Sequence, residues 1–194
     1  MVISTKELLV KFQTYRSPKM KIKREIDNGV YHRITKGWYE TDASTPGYLL
    51  CSYLVSPSYL SFEYALSFHG LIPERVVEYT CATTLKNHTK EYINGFGRFR
   101  FRDIPADVFA FGVERVSEGD YPYLIASPEK ALCDMLSKLS PVDSIKELEA
   151  LLFENLRIDE DRFDALNEQD LRFLAARYPK RNLRYLIQYL ERRD

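Results

Sequence analysis

Over the first forty residues, apolar positions recur at helical spacing and then give way to a short alternating stretch. Leu8, Leu9 and Phe12 form one stripe of a helix that Ser4 can cap and that runs to about Tyr15. Arg16-Ser17-Pro18 interrupts it, and Ser17 caps a second helix with Pro18 at its first position. Ile22 and Ile26, four apart, share a buried face, while Met20, Lys21 and Arg24 lie near the opposite one. Asn28-Gly29 stops this helix. Tyr31-His32-Arg33-Ile34, the turn Thr35-Lys36-Gly37 and the return Trp38-Tyr39-Glu40 then read as a hairpin. Two helices and a basic hairpin predict a winged-helix-like domain over residues 1–41.

A Ser/Thr/Pro/Gly stretch at about residues 41–47 reads as a linker, and the body follows over residues 48–194. Ser58 can cap a helix that ends at His69-Gly70, with Phe62, Ala65, Leu66 and His69 on one stripe. Strands are expected at residues 76–80, 97–102, 108–113 and 121–126, in an antiparallel sheet spanning about 76–126. The alternation is strict at Arg98-Phe99-Arg100-Phe101-Arg102, with phenylalanines on one side and arginines on the other. Residues 127–194 read as helices: one opened by Ser127-Pro128-Glu129, then about 145–155, 168–178 and 182–192. The expected class is α+β, a small winged-helix-like head on a sheet with a helical C-terminal bundle.

Charge changes this picture more than composition does. The chain has 194 residues, 45% of them hydrophobic, which suits a folded globular protein. No apolar run approaches the ~20 residues of a membrane span, and the N-terminus lacks a signal-peptide pattern, so a cytoplasmic protein is expected. Net charge is zero, yet residues 1–39 hold nine bases against three acids, a net +6 balanced by −6 on the remainder. A basic head on an acidic body suggests a polyanionic partner.

Candidate chemistry is sparse. Cys51, Cys81 and Cys133 are odd in number and far apart, which predicts buried thiols. His32, His69 and His88 lack ligand spacing, so no metal or cofactor is expected. Phosphate-binding loops, nucleophile elbows and zinc-protease motifs are missing, and a non-enzymatic role follows as the expectation. The basic head is the best signal. Lys19, Lys21, Lys23 and Arg24 on the second helix, with Arg33 and Lys36 on the hairpin, are candidate contacts to double-stranded DNA. Arg98, Arg100 and Arg102 form a second candidate surface, for an acidic partner.

Three blocks carry a family resemblance. They are Gly29-Val30-Tyr31-His32-Arg33-Ile34-Thr35-Lys36-Gly37-Trp38-Tyr39, the stretch from Tyr59-Leu60-Ser61-Phe62-Glu63-Tyr64 to Gly70-Leu71-Ile72-Pro73, and Ile125-Ala126-Ser127-Pro128-Glu129-Lys130-Ala131-Leu132-Cys133-Asp134. In this order and spacing the chain resembles AbiEi-type antitoxins. The resemblance implies the antitoxin of a type IV toxin–antitoxin pair. Its winged helix would repress its own operon at inverted repeats, two copies acting on the palindrome. Its toxin would be nucleotidyltransferase-like and opposed without a stable complex. One departure stands out: two helices precede the hairpin where a full winged helix has three. Lys130 and Asp134 match the third block and join the arginines as candidate antitoxin-surface residues. At i, i+4 they can also form a helix ion pair worth ~0.3–0.5 kcal/mol. The alternative function is a protein-interaction module that neutralises a partner through its body without binding DNA.

Overall fold

The protein is described from a computed structural model that covers residues 1–119 and 121–193. The chain opens with a strand absent from the sequence expectation, β1 (Val2–Ser4), followed by α1 (Thr5–Lys11), α2 (Pro18–Asp27), β2 (His32–Thr35) and β3 (Trp38–Glu40). Ser4 and Glu7 close a full capping box at the start of α1. This helix ends four residues before Tyr15, with Phe12 as its C-cap. The strands form a sheet in the order β1-β3-β2, both pairs antiparallel. The head is therefore a strand–helix–helix–strand–strand unit, winged-helix-like and one helix short.

Both faces of this small sheet are covered. Ile3 and Tyr39, paired across β1 and β3, face Leu8, Phe12, Ile22 and Tyr31 in a core of the head's own. The opposite face meets the body. Ile34 joins the body's hydrophobic core. The Trp38 ring lies 5.2 Å from that of Tyr53, and Asn94 Nδ2 donates to the Ile34 carbonyl at 2.9 Å. Glu40, fully buried, accepts from the Tyr121 hydroxyl at 2.7 Å, from the backbone N–H of Thr41 at 2.7 Å, and from the amino group of Met1.

The body is α+β, as expected, around a six-stranded sheet. Its strands are β4 (Ser58–Leu60), β5 (Tyr79–Thr83), β6 (Lys90–Asn94), β7 (Gly97–Asp103), β8 (Val113–Glu118) and β9 (Tyr121–Ala126), in the order β6-β7-β5-β4-β9-β8. The antiparallel expectation holds within the hairpins β6–β7 and β8–β9 and for β4–β5. In each hairpin the second strand is the inner one, so β7 joins β5 in parallel and β9 joins β4 in parallel. The sheet is therefore mixed.

Several boundaries differ from the sequence reading for physical reasons. Tyr59 and Leu60 lie in a central strand rather than a helix. After the short α3 (Cys51–Leu54) and β4, α4 (Phe62–Phe68) starts only once the backbone turns at Phe62, φ +54°. Thr80, Cys81, Ala82 and Thr83 are buried on both faces of the sheet, so β5 shows no alternation and lies three residues beyond the expected 76–80. Residues 108–113 are mostly not a strand: a short 3₁₀ turn, Ala106–Val108, precedes β8. The edge strand β6, with its charged and half-exposed side chains, gave no signal at all.

The C-terminal helices are α5 (Pro128–Lys138), α6 (Ile145–Glu149, continued by a π turn over Ala150–Asn155), α7 (Glu160–Asp164), α8 (Glu168–Ala175) and α9 (Arg181–Glu191). The Ser127 side chain accepts from the Lys130 N–H and caps α5 as read from sequence. This helix is the pillar of the body, buried along Glu129–Ser137.

Lys130 and Asp134, expected on an antitoxin surface, instead lie within that pillar. Neither side chain has any exposure, and their charges are 3.4 Å apart. The Lys130 ammonium donates to the Val108 carbonyl at 2.7 Å and to the Tyr178 hydroxyl at 2.5 Å. Asp134 accepts from Tyr59 at 2.9 Å, from Ser61 at 2.7 Å and from Tyr178. Burial pushes the Lys130 ammonium below its ordinary range, with Asp134 pulling it back. Burial and the Asp134 charge push the Tyr59 and Tyr178 hydroxyls up, so they remain donors. Gly112, φ +65°, passes close by: a Cβ there would sit 2.9 Å from that of Lys130. The second and third sequence blocks meet in this network.

Asp134→Ala strands the Lys130 charge and should cost about 3–5 kcal/mol in urea denaturation, while the paired replacement Lys130→Met/Asp134→Leu should cost less than the single one. At Glu40, burial pushes the carboxyl up, but the Met1 ammonium, the Tyr121 hydroxyl and the Asp42 and Thr41 amides outweigh it and hold it below the usual range. A depressed folded-state value stabilises above the unfolded one, about 4.3, and that stabilisation disappears as pH falls through the folded value. Glu40→Gln should therefore flatten the acid limb of the stability profile below about pH 4.3, read from denaturation midpoints.

Candidate nucleic-acid interface

Helix α2 divides its residues cleanly. Ile22 is 6% exposed and, with half-buried Ile26, packs into the head core. Lys19, Met20, Lys23, Arg24 and Asp27 are exposed, and their i, i+3 and i, i+4 spacing lays them along one outward face. The hairpin adds exposed Arg33 and Lys36. Lys36 stands in the turn between β2 and β3, next to Gly37 at φ +92°. The Gly37 carbonyl accepts from the Thr5 N–H at 2.9 Å, which ties the turn to the start of α1.

Five of the six sequence candidates are thus solvent-facing: Lys19, Lys23, Arg24, Arg33 and Lys36. None of them forms an ion pair among the described residues. Lys21 is the exception. It is half-buried, its ammonium lies 2.5 Å from Glu25 one turn on, and it stands 5.2 Å above the Tyr15 ring. The hydrogen bond to Glu25 raises its affinity for the proton. That charge is used within the helix. Lys11 is likewise engaged, donating to the Tyr31 hydroxyl at 2.8 Å. Lys6 and Arg16, the other bases of the head outside α2 and the hairpin, are exposed.

The arginine strand has a different character. Arg102 is held by both oxygens of Glu63, at 2.6 and 2.8 Å, and lies 4.7 Å over the Phe62 ring. Arg100 stands 3.0 Å from Glu91 and 3.5 Å from Glu78. Only Arg98 of the three is exposed and forms no ion pair among the described residues. Phe99 and Phe101 point the other way into the core, as the alternation required.

The remaining chemistry matches the sequence reading where it was positive. Cys51, Cys81 and Cys133 are buried free thiols, and burial pushes the thiols of Cys81 and Cys133 up, out of reactive range. Among the described residues no three His, Cys, Asp or Glu side chains gather as metal ligands would, and no helix is long and apolar enough to cross a membrane.

No family model and no curated protein matches the chain. Among solved structures, its fold is similar to that of the Rv2827c protein from Mycobacterium tuberculosis, with a TM-score of 0.58 at 15% sequence identity. The similarity covers 97% of this chain and 72% of that one. At that identity the likeness is one of fold, and it runs through head and body together.

Proposed function

We propose that this protein is the antitoxin of a type IV toxin–antitoxin pair and a DNA-binding autorepressor of its operon, opposing a nucleotidyltransferase-like toxin. The observation that carries the DNA reading is the set of outward cations on one small unit that form no ion pair among the described residues: Lys19, Lys23 and Arg24 on α2, Arg33 and Lys36 on the hairpin. Cations free of carboxylate partners neutralise phosphates and release counterions without first breaking an internal pair. A helix whose inner face is fixed by Ile22 and Ile26 can enter a major groove while a basic hairpin touches the backbone beside it. Inverted repeats match two copies of the chain.

The antitoxin part rests on the three sequence blocks. Their polar residues Tyr59, Ser61, Lys130 and Asp134 serve one buried network, which accounts for their chemistry as a folding requirement rather than as a partner surface. Arg100 and Arg102 already have carboxylate partners, so an acidic protein partner on that strand has less support than DNA on the head.

A mobility-shift titration on the gene's own upstream DNA tests the reading. With about five phosphates neutralised, log K should fall with log salt at a slope of about −4 to −5. The double charge removal Lys23→Ala/Arg24→Ala should make the slope shallower by about 2 and leave the fold intact by circular dichroism. Folded protein that shifts no upstream fragment at low salt overturns the DNA reading.

A further inference from the structure

Of the five exposed side chains on the outward face of α2, one is apolar. Met20 is 65% exposed and sits one helical turn from both Lys23 and Arg24, beside Lys19. It cannot serve the head core, because Ile22, two residues later, points about 160° away and fills that role. It is the third residue of α2, in the half of a recognition helix that approaches base edges. A thioether offers no hydrogen-bond donor and only a weak acceptor, so it has nothing to give a phosphate or a guanine edge. The base-edge group in the major groove that rewards apolar contact is the 5-methyl of thymine.

We infer that Met20 reads a thymine methyl group in each half-site of the bound duplex, while its cationic neighbours hold the phosphates. This rests on the DNA reading above and adds to it a base preference and the residue that sets it. Lys19, Lys23 and Arg24 flank the thioether on the helix surface, so phosphate contacts would press it into the groove. Burying one methyl group is worth about a three- to fivefold change in affinity.

The test replaces thymine by deoxyuridine, one position at a time, in the upstream fragment that the full-length protein protects. Deoxyuridine pairs identically and lacks only the methyl. The wild type should lose about three- to fivefold at one thymine per half-site. Met20→Ala should lose a similar factor on the unmodified duplex and become indifferent to deoxyuridine there. Lys19→Ala should bind more weakly overall and keep the deoxyuridine penalty. Equal wild-type affinity for both duplexes at every position overturns the inference while leaving DNA binding standing. So does a Met20→Ala protein that still discriminates. If Met20 instead joins two copies of the chain, its loss would weaken both duplexes equally and leave the deoxyuridine penalty in place, which also overturns it. Failure to bind any upstream duplex removes the DNA reading and this one together.

Discussion

Burying a charge without water is costly, and the body of this protein buries two on one helix. Lys130 and Asp134 are tolerable only because every polar atom around them finds a partner. Those partners come from separated parts of the chain: Tyr59 from a central strand, Ser61 from the corner after it, the Val108 carbonyl from the turn before an edge strand, and Tyr178 from beyond α8. The network can be satisfied only when all of these segments are in place at once. Short strands need this. β4 has three residues, and its parallel junction with β9 is a single pairing, Leu60 with Ile125, which hydrophobic contact alone would specify weakly. The ion pair therefore acts as a locating device for the sheet's midpoint as much as a source of stability.

A second constraint sets the head against that body. A three-stranded sheet of such short strands could not stand alone, and it does not: one face closes the head core, and the other is covered by Tyr53 and the body's apolar side chains. Glu40 pins the junction, drawing donors from Tyr121 and the first residue of the chain. The helix that carries the free cations is thus mounted on a rigid support, and its direction relative to the body is fixed by packing rather than by a tether.

Much of this was legible in the sequence where a local rule decided the outcome. The Ser4 and Ser127 caps, the Pro18 helix start, the basic hairpin and the Arg/Phe alternation of residues 98–102 all depend on neighbours within a few positions. Where burial on both faces or pairing over long distances decided, the signal vanished. β5 lost its alternation, Tyr59 and Leu60 looked helical because the next turn is helical, and β1 was too short to register beside α1. The same holds for the site. Cations on the outer face of α2 follow from the positions of Ile22 and Ile26, but the capture of Lys21 by Glu25 needed coordinates. So did the burial of Lys130 and Asp134, which a helix wheel presents as an ordinary surface pair.

The doubly covered head sheet bears on how the chain can be divided. Cutting near residue 41, where composition marks a linker, would uncover Ile34 and the faces of Val2 and Trp38 on the released piece, and would leave Tyr53 and Phe96 bare on the other. Each fragment would carry a sticky apolar scar. The two halves are better thought of as one hydrophobic unit with a basic prow than as modules to be separated and shuffled.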